Sequence, residues 1–579
     1  MAQAISAQAS APTERCPMPV PLPVLGALNA ASEADQDEVV AVVDPYTSGR
    51  FLVEELRKRR WPLAAVRSSL SLDEGLLSTW NPGVFDHIIV HRGNVSQTVE
   101  ALRAIRPVRA VIAGSEPGVA LADELAAALG LRGNDPQGPR LCCRWDKFEM
   151  QERLSEVGLR ALKQRLCSSS EEALNFAKEL GSWPLVVKAK SSHGGGGGLH
   201  LCGDTEALRE AVIAVQESKD FSGCANNVAL VQEFLEGKEY IVDCVSKGGQ
   251  HLVAGTWACC KTPTDCGFIY DCIRTVPYDC ATNSIQQRLY RYVFECLTAL
   301  GVEHGASHCE VVFPAGTQAD PCLVRLGARM HGSMGPALWT RCAGREHSQP
   351  FLVADLFTES GREMSRRLRE VQSGKPAYTL KQWAAHVDLQ CPKGGLLSRS
   401  VELSSGAWLR SLPTFSALRL YVEEGDRVSP TACLATSPGF VVLLGDTEAE
   451  IDKDLVAIRA RENSGGMYEL ETNEKVWEVM PFMMPQSGRR NSATEARLRE
   501  LEAEAEKLIS PIASRAASPV LSPQQAPCLP PDFDDGPIEF TLEGDNLDGF
   551  DLDGPGGIVE SETASFLLPE VVASPMHWN

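Results

Sequence analysis

No apolar run in the 579-residue chain approaches the roughly 20 residues of a membrane span, so no membrane partner is expected. The first 35 residues hold Pro17, Pro19, Pro21 and Pro23 among scattered alanines, and lack a basic start followed by an apolar core. No secretory signal is visible, and a cytoplasmic location is expected. Basic surface is scarce as well. The formal net charge is −21, and residues 529–579 contain 12 Asp or Glu and no Lys or Arg; without those twelve, the other 528 residues carry only −9. Neutralising a phosphate backbone needs a basic face, so nucleic acid is not the expected partner. Cysteine is plentiful, at 19, but paired C-x-x-C spacing is missing: Cys142–Cys143 and Cys259–Cys260 are adjacent, and Cys266, Cys272 and Cys280 follow at unpaired intervals. Buried, reduced thiols are therefore expected rather than zinc ligands.

What is present is a large apolar fraction, 44%, enough for several domains. Order is predicted to start near Glu38, where "EVVAVVD" reads as a buried strand, "PYTSG" as a turn and "RFLVEELRKRRW" as an amphipathic helix. Strands recur at "HIIVHRG" and "RAVIAGS", the latter followed by the helix "GVALADELAAALGL". This alternation predicts a parallel, doubly wound sheet to about residue 140. A helix carrying Lys147 on its first turn follows, then strands on either side of a glycine run, then two antiparallel strands around "SKGGQ". From 400 to 475 the pattern is mixed. Beyond about 480 it turns to Ser, Pro and acid, with one helix starting at a capping box, Ser492 to Glu495, in an otherwise disordered tail.

The segment "VVKAKSSHGGGGGLHL" (186–201) is strand, turn, strand. Five glycines expose backbone N–H groups to a phosphate chain, yet they also make a plain hairpin. A Walker loop needs a lysine straight after its last glycine, and here Leu199 and His200 follow. A dinucleotide fingerprint needs a helix there. On residues alone, both the phosphate site and the hairpin stay open.

The order of "WDKFEMQERLSEVGL", "WPLVVKAKSSHGGGGGLHLC", "VQEFLEGKEYIVD", "HCEVVF" and "LVRLGARMHG" after an α/β domain closely resembles the ATP-grasp family of carboxylate–amine ligases, from about residue 38 to 475. The phrasing "GVALADELAAALGLRGN" and "LGARMHG" looks most like the amino-acid ligases that form dipeptides. The resemblance implies an α/β ATP-grasp fold: a Rossmann-like domain over 38–140, a small lid subdomain over 141–230, a large subdomain with a mixed α/β part over 231–475, and disordered ends at 1–37 and 476–579. It places Lys147 and Lys188 on the nucleotide phosphates and base. Gly194, Gly195, Gly196, Gly197 and Gly198 form a lid over the phosphates. The linker Gln232, Glu233, Phe234 and Leu235 pairs its backbone with adenine, and Glu239 accepts the ribose hydroxyls. Glu310 becomes a Mg²⁺ ligand, with Mn²⁺ as a substitute, and an isolated carboxylate in an apolar strand is costly without such a partner. Arg329 faces the transferred phosphate as the catalytic guanidinium.

The implied reaction activates a small carboxylate as an acyl phosphate with ATP and passes it to an amine. Amino acids are candidate substrates, and a homodimer is compatible. Lys261, Tyr270 and His331 lie in segments that face either the acceptor or the core. One position departs from the family pattern. Where the family carries a metal-binding acid four residues before the arginine, this chain has Arg325, and Gly327 replaces a common asparagine. An ATP-binding scaffold with weak or no ligase activity is the alternative.

Overall fold

The computed structural model describes residues 37–69, 74–137, 140–190, 199–218, 226–264, 267–281, 284–314 and 320–471. The glycine run 194–198, the N-terminal segment, the acidic tail and the Ser492 helix lie outside them.

Valine-rich Val39–Val43 is buried along its whole length, as a strand covered on both faces must be. It pairs in parallel with Leu63–Arg67 on one side and Val108–Ala113 on the other, and His87–Val90 completes a four-stranded parallel sheet. Leu63–Arg67 was not anticipated from the sequence: two alanines and an arginine in "LAAVR" give weak strand propensity, and burial between neighbours overrides it. Helices Val95–Ile105 and Val119–Leu129 cover the sheet, their Val99, Leu102, Leu121 and Leu125 sharing a core with Val39, Ala41 and Val43. At the C-terminal edge the turn Glu116–Gly118 lies hard against the first strand. A Cβ on Gly118 would meet the Val43 carbonyl oxygen at 2.6 Å, so only glycine allows the approach that fixes Glu116.

The second sheet is antiparallel, in the order Gln164–Cys167, Ala229–Glu233, Leu185–Ala189, Leu199–Cys202. Helices Ser170–Leu180 and Thr205–Glu217 bury Phe176, Leu208 and Val212 against it. The expected division at 230/231 falls inside Ala229–Glu233. The third sheet has eight antiparallel strands: Cys322–Gly327, His304–Pro314, Gly237–Lys247, Gln250–Thr264, Gly267–Thr275, Trp383–Asp388, Gly439–Gly445 and Phe415–Leu420. Gly248 and Gly249, at φ 56° and 73°, supply the left-handed turn of the "SKGGQ" hairpin. A three-stranded sheet (Arg427–Val428, Gly395–Arg399, Glu469–Glu471) and the helix Glu448–Asn463 close the C-terminal core.

The parallel-sheet domain is locked to the large sheet by buried polar contacts. Arg144, with no exposed side-chain surface, pairs with Asp123 at 2.8 Å and donates to the Gly301 carbonyl at 3.4 Å. Asn134 Oδ1 accepts from the backbone of Glu303 and His304 at 2.8 and 2.9 Å.

Candidate functional site

Lys147 opens the helix Lys147–Glu156, whose N-cap Asp146 accepts from the backbone of Phe148 and Glu149 at 2.9 and 3.1 Å. That cap sets the first turn and turns Lys147 inward, where burial and the nearby charges of Lys188 and Arg325 drive its ammonium well below the usual lysine range. Lys188 sits in the fully buried strand Leu185–Ala189 and is pushed down to about 8 by burial, with Glu310 pulling the other way. Lys261 pairs with Glu239 at 2.5 Å and lies over the Tyr270 ring at 4.5 Å. Burial raises the Glu239 carboxyl, and Lys261 opposes the rise.

Glu310 and Arg325 are direct partners in the register of His304–Pro314 and Cys322–Gly327, with a bulge just beyond Glu310. Arg325 Nη1 lies 3.9 Å from Glu310 Oε1, and its other arm donates to Glu116 at 3.1 Å. Arg329 Nε meets the same Glu116 oxygen at 2.9 Å. A Cβ on Gly327 would sit 2.9 Å from that oxygen and 3.1 Å from Arg329 Cζ, which explains glycine at this position. Burial works against ionising Glu310, but His308, Lys261 and Arg325 outweigh it and hold the carboxyl well below its ordinary range.

Behind Glu310 runs a buried chain. His308 Nε2 is 3.6 Å from Glu310, and its Nδ1 bonds Asp243 at 2.9 Å. Asp243 also accepts from His331 Nδ1 at 2.8 Å and Trp257 Nε1 at 2.7 Å. Although burial opposes it, His331 and His308 keep Asp243 ionised, below its usual range. A carboxylate only accepts, so both Nδ1 atoms carry their protons towards it. Asp243, His308 and His331 have donor atoms within 4.8 Å of one another, the spacing of a metal set. Yet both imidazoles spend their Nδ1 on Asp243, which takes three hydrogen bonds, so the group is a satisfied hydrogen-bond cluster.

Glu310 fits Mg²⁺ better. It is an ionised, half-buried carboxylate whose neighbours stand at 3.6 and 3.9 Å, and magnesium needs only one or two such groups beside substrate phosphates.

Lys147, Lys188, Glu239 and Glu310 thus fall within one electrostatic neighbourhood, and Arg329 joins it through Glu116 and Arg325. In the linker, Gln232 is buried and donates to Gln164 at 2.8 Å, Phe234 stacks on Phe268 at 6.1 Å, and Leu235 is half-buried. The Glu233 carboxylate is taken by Arg160 and the Lys163 backbone, both at 2.8 Å. His331 belongs to the Asp243 cluster. Sequence reasoning missed Glu116, Asp243 and His308. The "HCE" spacing, which puts His308 and Glu310 on one strand face, was a usable signal for His308, and nothing local marked Glu116.

Comparison with known proteins accords with this geometry. The family described as "Carbamoyl-phosphate synthase L chain, ATP binding domain" matches residues 146–331. Dapdiamide A synthase of Enterobacter agglomerans is 26% identical over 424 residues, 73% of this chain and 95% of that protein. The fold is shared with the L-amino acid ligase of Bacillus licheniformis (TM-score 0.55, 16% identity, 73% of this chain and 98% of that one). It is shared too with N5-carboxyaminoimidazole synthase of Aspergillus clavatus, solved with ADP and 5-aminoimidazole ribonucleotide (TM-score 0.52, 16% identity, 73% and 99% covered). With its lysines, carboxylate and paired arginines on an ATP-grasp fold, the chain is similar over residues 146–331 to the ATP-binding domain of the carbamoyl-phosphate synthase L chain.

Proposed function

We propose that this protein joins a small carboxylic acid, an amino acid in the favoured case, to an amine at the expense of ATP, through an acyl phosphate. The observation that carries the reading is Glu310, held ionised and half-buried opposite Arg325 and within the field of Lys188 and Lys261. Such a surplus of cations suits a triphosphate. Lys147 and Lys188 neutralise the phosphates, and an incoming anion restores the proton that burial loosens on Lys188. Glu239 exchanges Lys261 for ribose hydroxyls. Phe234 and Leu235, just past the strand that holds Gln232 and Glu233 in the sheet, present backbone to the base. Glu310 would hold Mg²⁺, which when bound supplies charge neutralisation at the phosphates. Arg329, oriented by Glu116, steadies the carboxylate as its oxygen attacks the terminal phosphorus of ATP and ADP leaves. The amine nitrogen then attacks the acyl carbon, the C–N bond forms, and phosphate departs.

The second reading, nucleotide binding with weak turnover, is favoured by one observation. Arg325 occupies the register position opposite Glu310, where a second metal carboxylate would stand.

The test is ADP release by the full chain with Mg²⁺ and amino acids supplied in pairs, with mass spectrometry for the amide. ADP and amide appearing together for a defined pair is the expected result. ATP-induced stabilisation without product for any pair favours the second reading, and neither stabilisation nor product overturns both.

A further inference from the structure

Cys260 lies directly opposite Cys272 in the antiparallel register of Gln250–Thr264 and Gly267–Thr275. It is the one cysteine pair facing across a ladder among the described residues. Opposed residues in such a ladder have Cα atoms about 4.5 or 5.5 Å apart. Both spacings fall inside the window of about 4.4–6.8 Å that a disulfide tolerates. Their side chains leave the same face of the sheet. Cys260 is exposed, whereas Cys272 is fully buried in the core with Ala385, Val387 and Val441. A solute therefore reaches one thiol while the other waits behind it.

The local charges sort the two sulfurs into different roles. A hydrogen bond with Cys272 lowers the Cys260 thiol to about 7, with help from Arg274 and against burial, Asp271 and Asp452. Arg274, two residues along the same face, is itself held by Glu448 and Asp452 at 3.3 and 2.8 Å. The bond to Cys260 and burial push Cys272 upwards, so it keeps its proton. Immediately beyond the pair, the register slips: Lys261 faces Tyr270 and Asp271 is left over as a bulge.

We propose that Cys260 is a hydroperoxide-reactive thiolate and Cys272 its resolving partner, a modification site built into the strand pair that carries Lys261 and Tyr270. The thiolate attacks one peroxide oxygen and the O–O bond breaks. Sulfur is oxidised to sulfenic acid, and the departing hydroxide or alkoxide takes a proton to become water or alcohol. The Cys272 thiol then attacks the sulfenic sulfur, the S–S bond forms, and the hydroxyl leaves with the thiol proton as water. A reducing dithiol restores both thiols by exchange. This chemistry is independent of the ligase reading.

The test treats the reduced full chain with equimolar hydrogen peroxide at neutral pH, alkylates the remaining thiols and maps peptides by mass spectrometry. The cross-linked peptide should be two hydrogens lighter than the dithiol pair, with fragmentation placing the bond on Cys260 rather than Cys259 and on Cys272 rather than Cys266. Dithiothreitol should reverse it. Cys260→Ser, at an exposed position, should abolish the cross-link and leave alkylation of the other cysteines unchanged. Cys272→Ser should accumulate a dimedone-trapped sulfenic acid at Cys260. The proposal is overturned if both thiols stay alkylatable while other cysteines oxidise, if Cys260→Ser oxidises like the native chain, or if Cys260 bonds another cysteine. Should Cys272→Ser fail to fold, the native and Cys260→Ser results decide alone.

Discussion

Two clusters of charge meet at the eight-stranded sheet, one buried within it and one at its junction with neighbouring elements, and they are balanced in opposite ways. Around Asp243, one carboxylate receives three donors at 2.7 to 2.9 Å, and its neighbourhood is complete within the protein. Around Glu310, the described cations Lys147, Lys188, Lys261, Arg325 and Arg329 gather with the carboxylates Glu116, Glu239 and Glu310. Burial loosens the protons of Lys147 and Lys188 because the carboxylates present do not offset it. A closed set of charges serves the fold; a cationic surplus awaits an anion. His308 touches both clusters, so the finished one orients the carboxylate of the unfinished one.

The comparison breaks most severely at Asp243. Asp243→Ala leaves two imidazoles and an indole N–H buried without their acceptor, and should cost about 3–5 kcal/mol of stability, read from the denaturant midpoint. A variant as stable as the parent would show that the cluster is not structural. On the other side, Lys188→Ala removes a buried cation whose own protonation is strained, so the fold should survive. ATP affinity should fall about 10- to 100-fold, the value of a hydrogen bond to a charged group, measured by titration calorimetry with Mg²⁺. Loss of folding together with unchanged ATP affinity would reverse the roles assigned to the two clusters.

How far these clusters could be read in the sequence follows from their construction. Lys188 and Glu310 each interrupt an apolar strand at a position the pattern itself locates, whereas Lys147 came from the family resemblance. The parallel sheet, the "SKGGQ" hairpin and the helix Glu448–Asn463 were legible for the same reason: period and turn chemistry are local. Glu116 was not. It lies in a three-residue turn, 209 residues from Arg325, and meets the arginines only because Gly118 and Gly327 permit close approach. Nor did the sequence reveal that Arg325 would turn to Glu116 instead of standing alone beside Glu310.

Arg325 sharpens the comparison more gently. Replacing it with glutamate removes one surplus cation and sets a second carboxylate opposite Glu310, the arrangement that a shared Mg²⁺ favours. Arg325→Glu should raise ADP formation at least tenfold, a barrier lower by roughly 1.4 kcal/mol, and Glu310→Ala should remove whatever turnover exists. A native enzyme that turns over at ordinary rates while Arg325→Glu is slower would make Arg325 a working contact for substrate or phosphate.

The smallest effect is a pH dependence that belongs to one cluster only. The Lys188 ammonium titrates at about 8 in the free protein, lowered first by burial. A bound triphosphate stabilises the charged form, so binding takes up a proton wherever the free lysine has lost one, and affinity must fall as pH rises through 8. Between pH 7.5 and 8.5 the protonated fraction drops about threefold, and the ATP affinity should drop by the same factor. The sign for folding is the reverse: the unfolded chain keeps its lysine proton to higher pH, so the cost of burying this ammonium shrinks between about 8 and 10.5 and the ligand-free protein gains stability there. Calorimetry in buffers of different ionisation enthalpy separates the two, because proton uptake on binding scales with the buffer term. Asp243, ionised throughout this range, contributes to neither. An affinity that holds level or rises across pH 8, with no proton uptake, would remove Lys188 from the phosphate site.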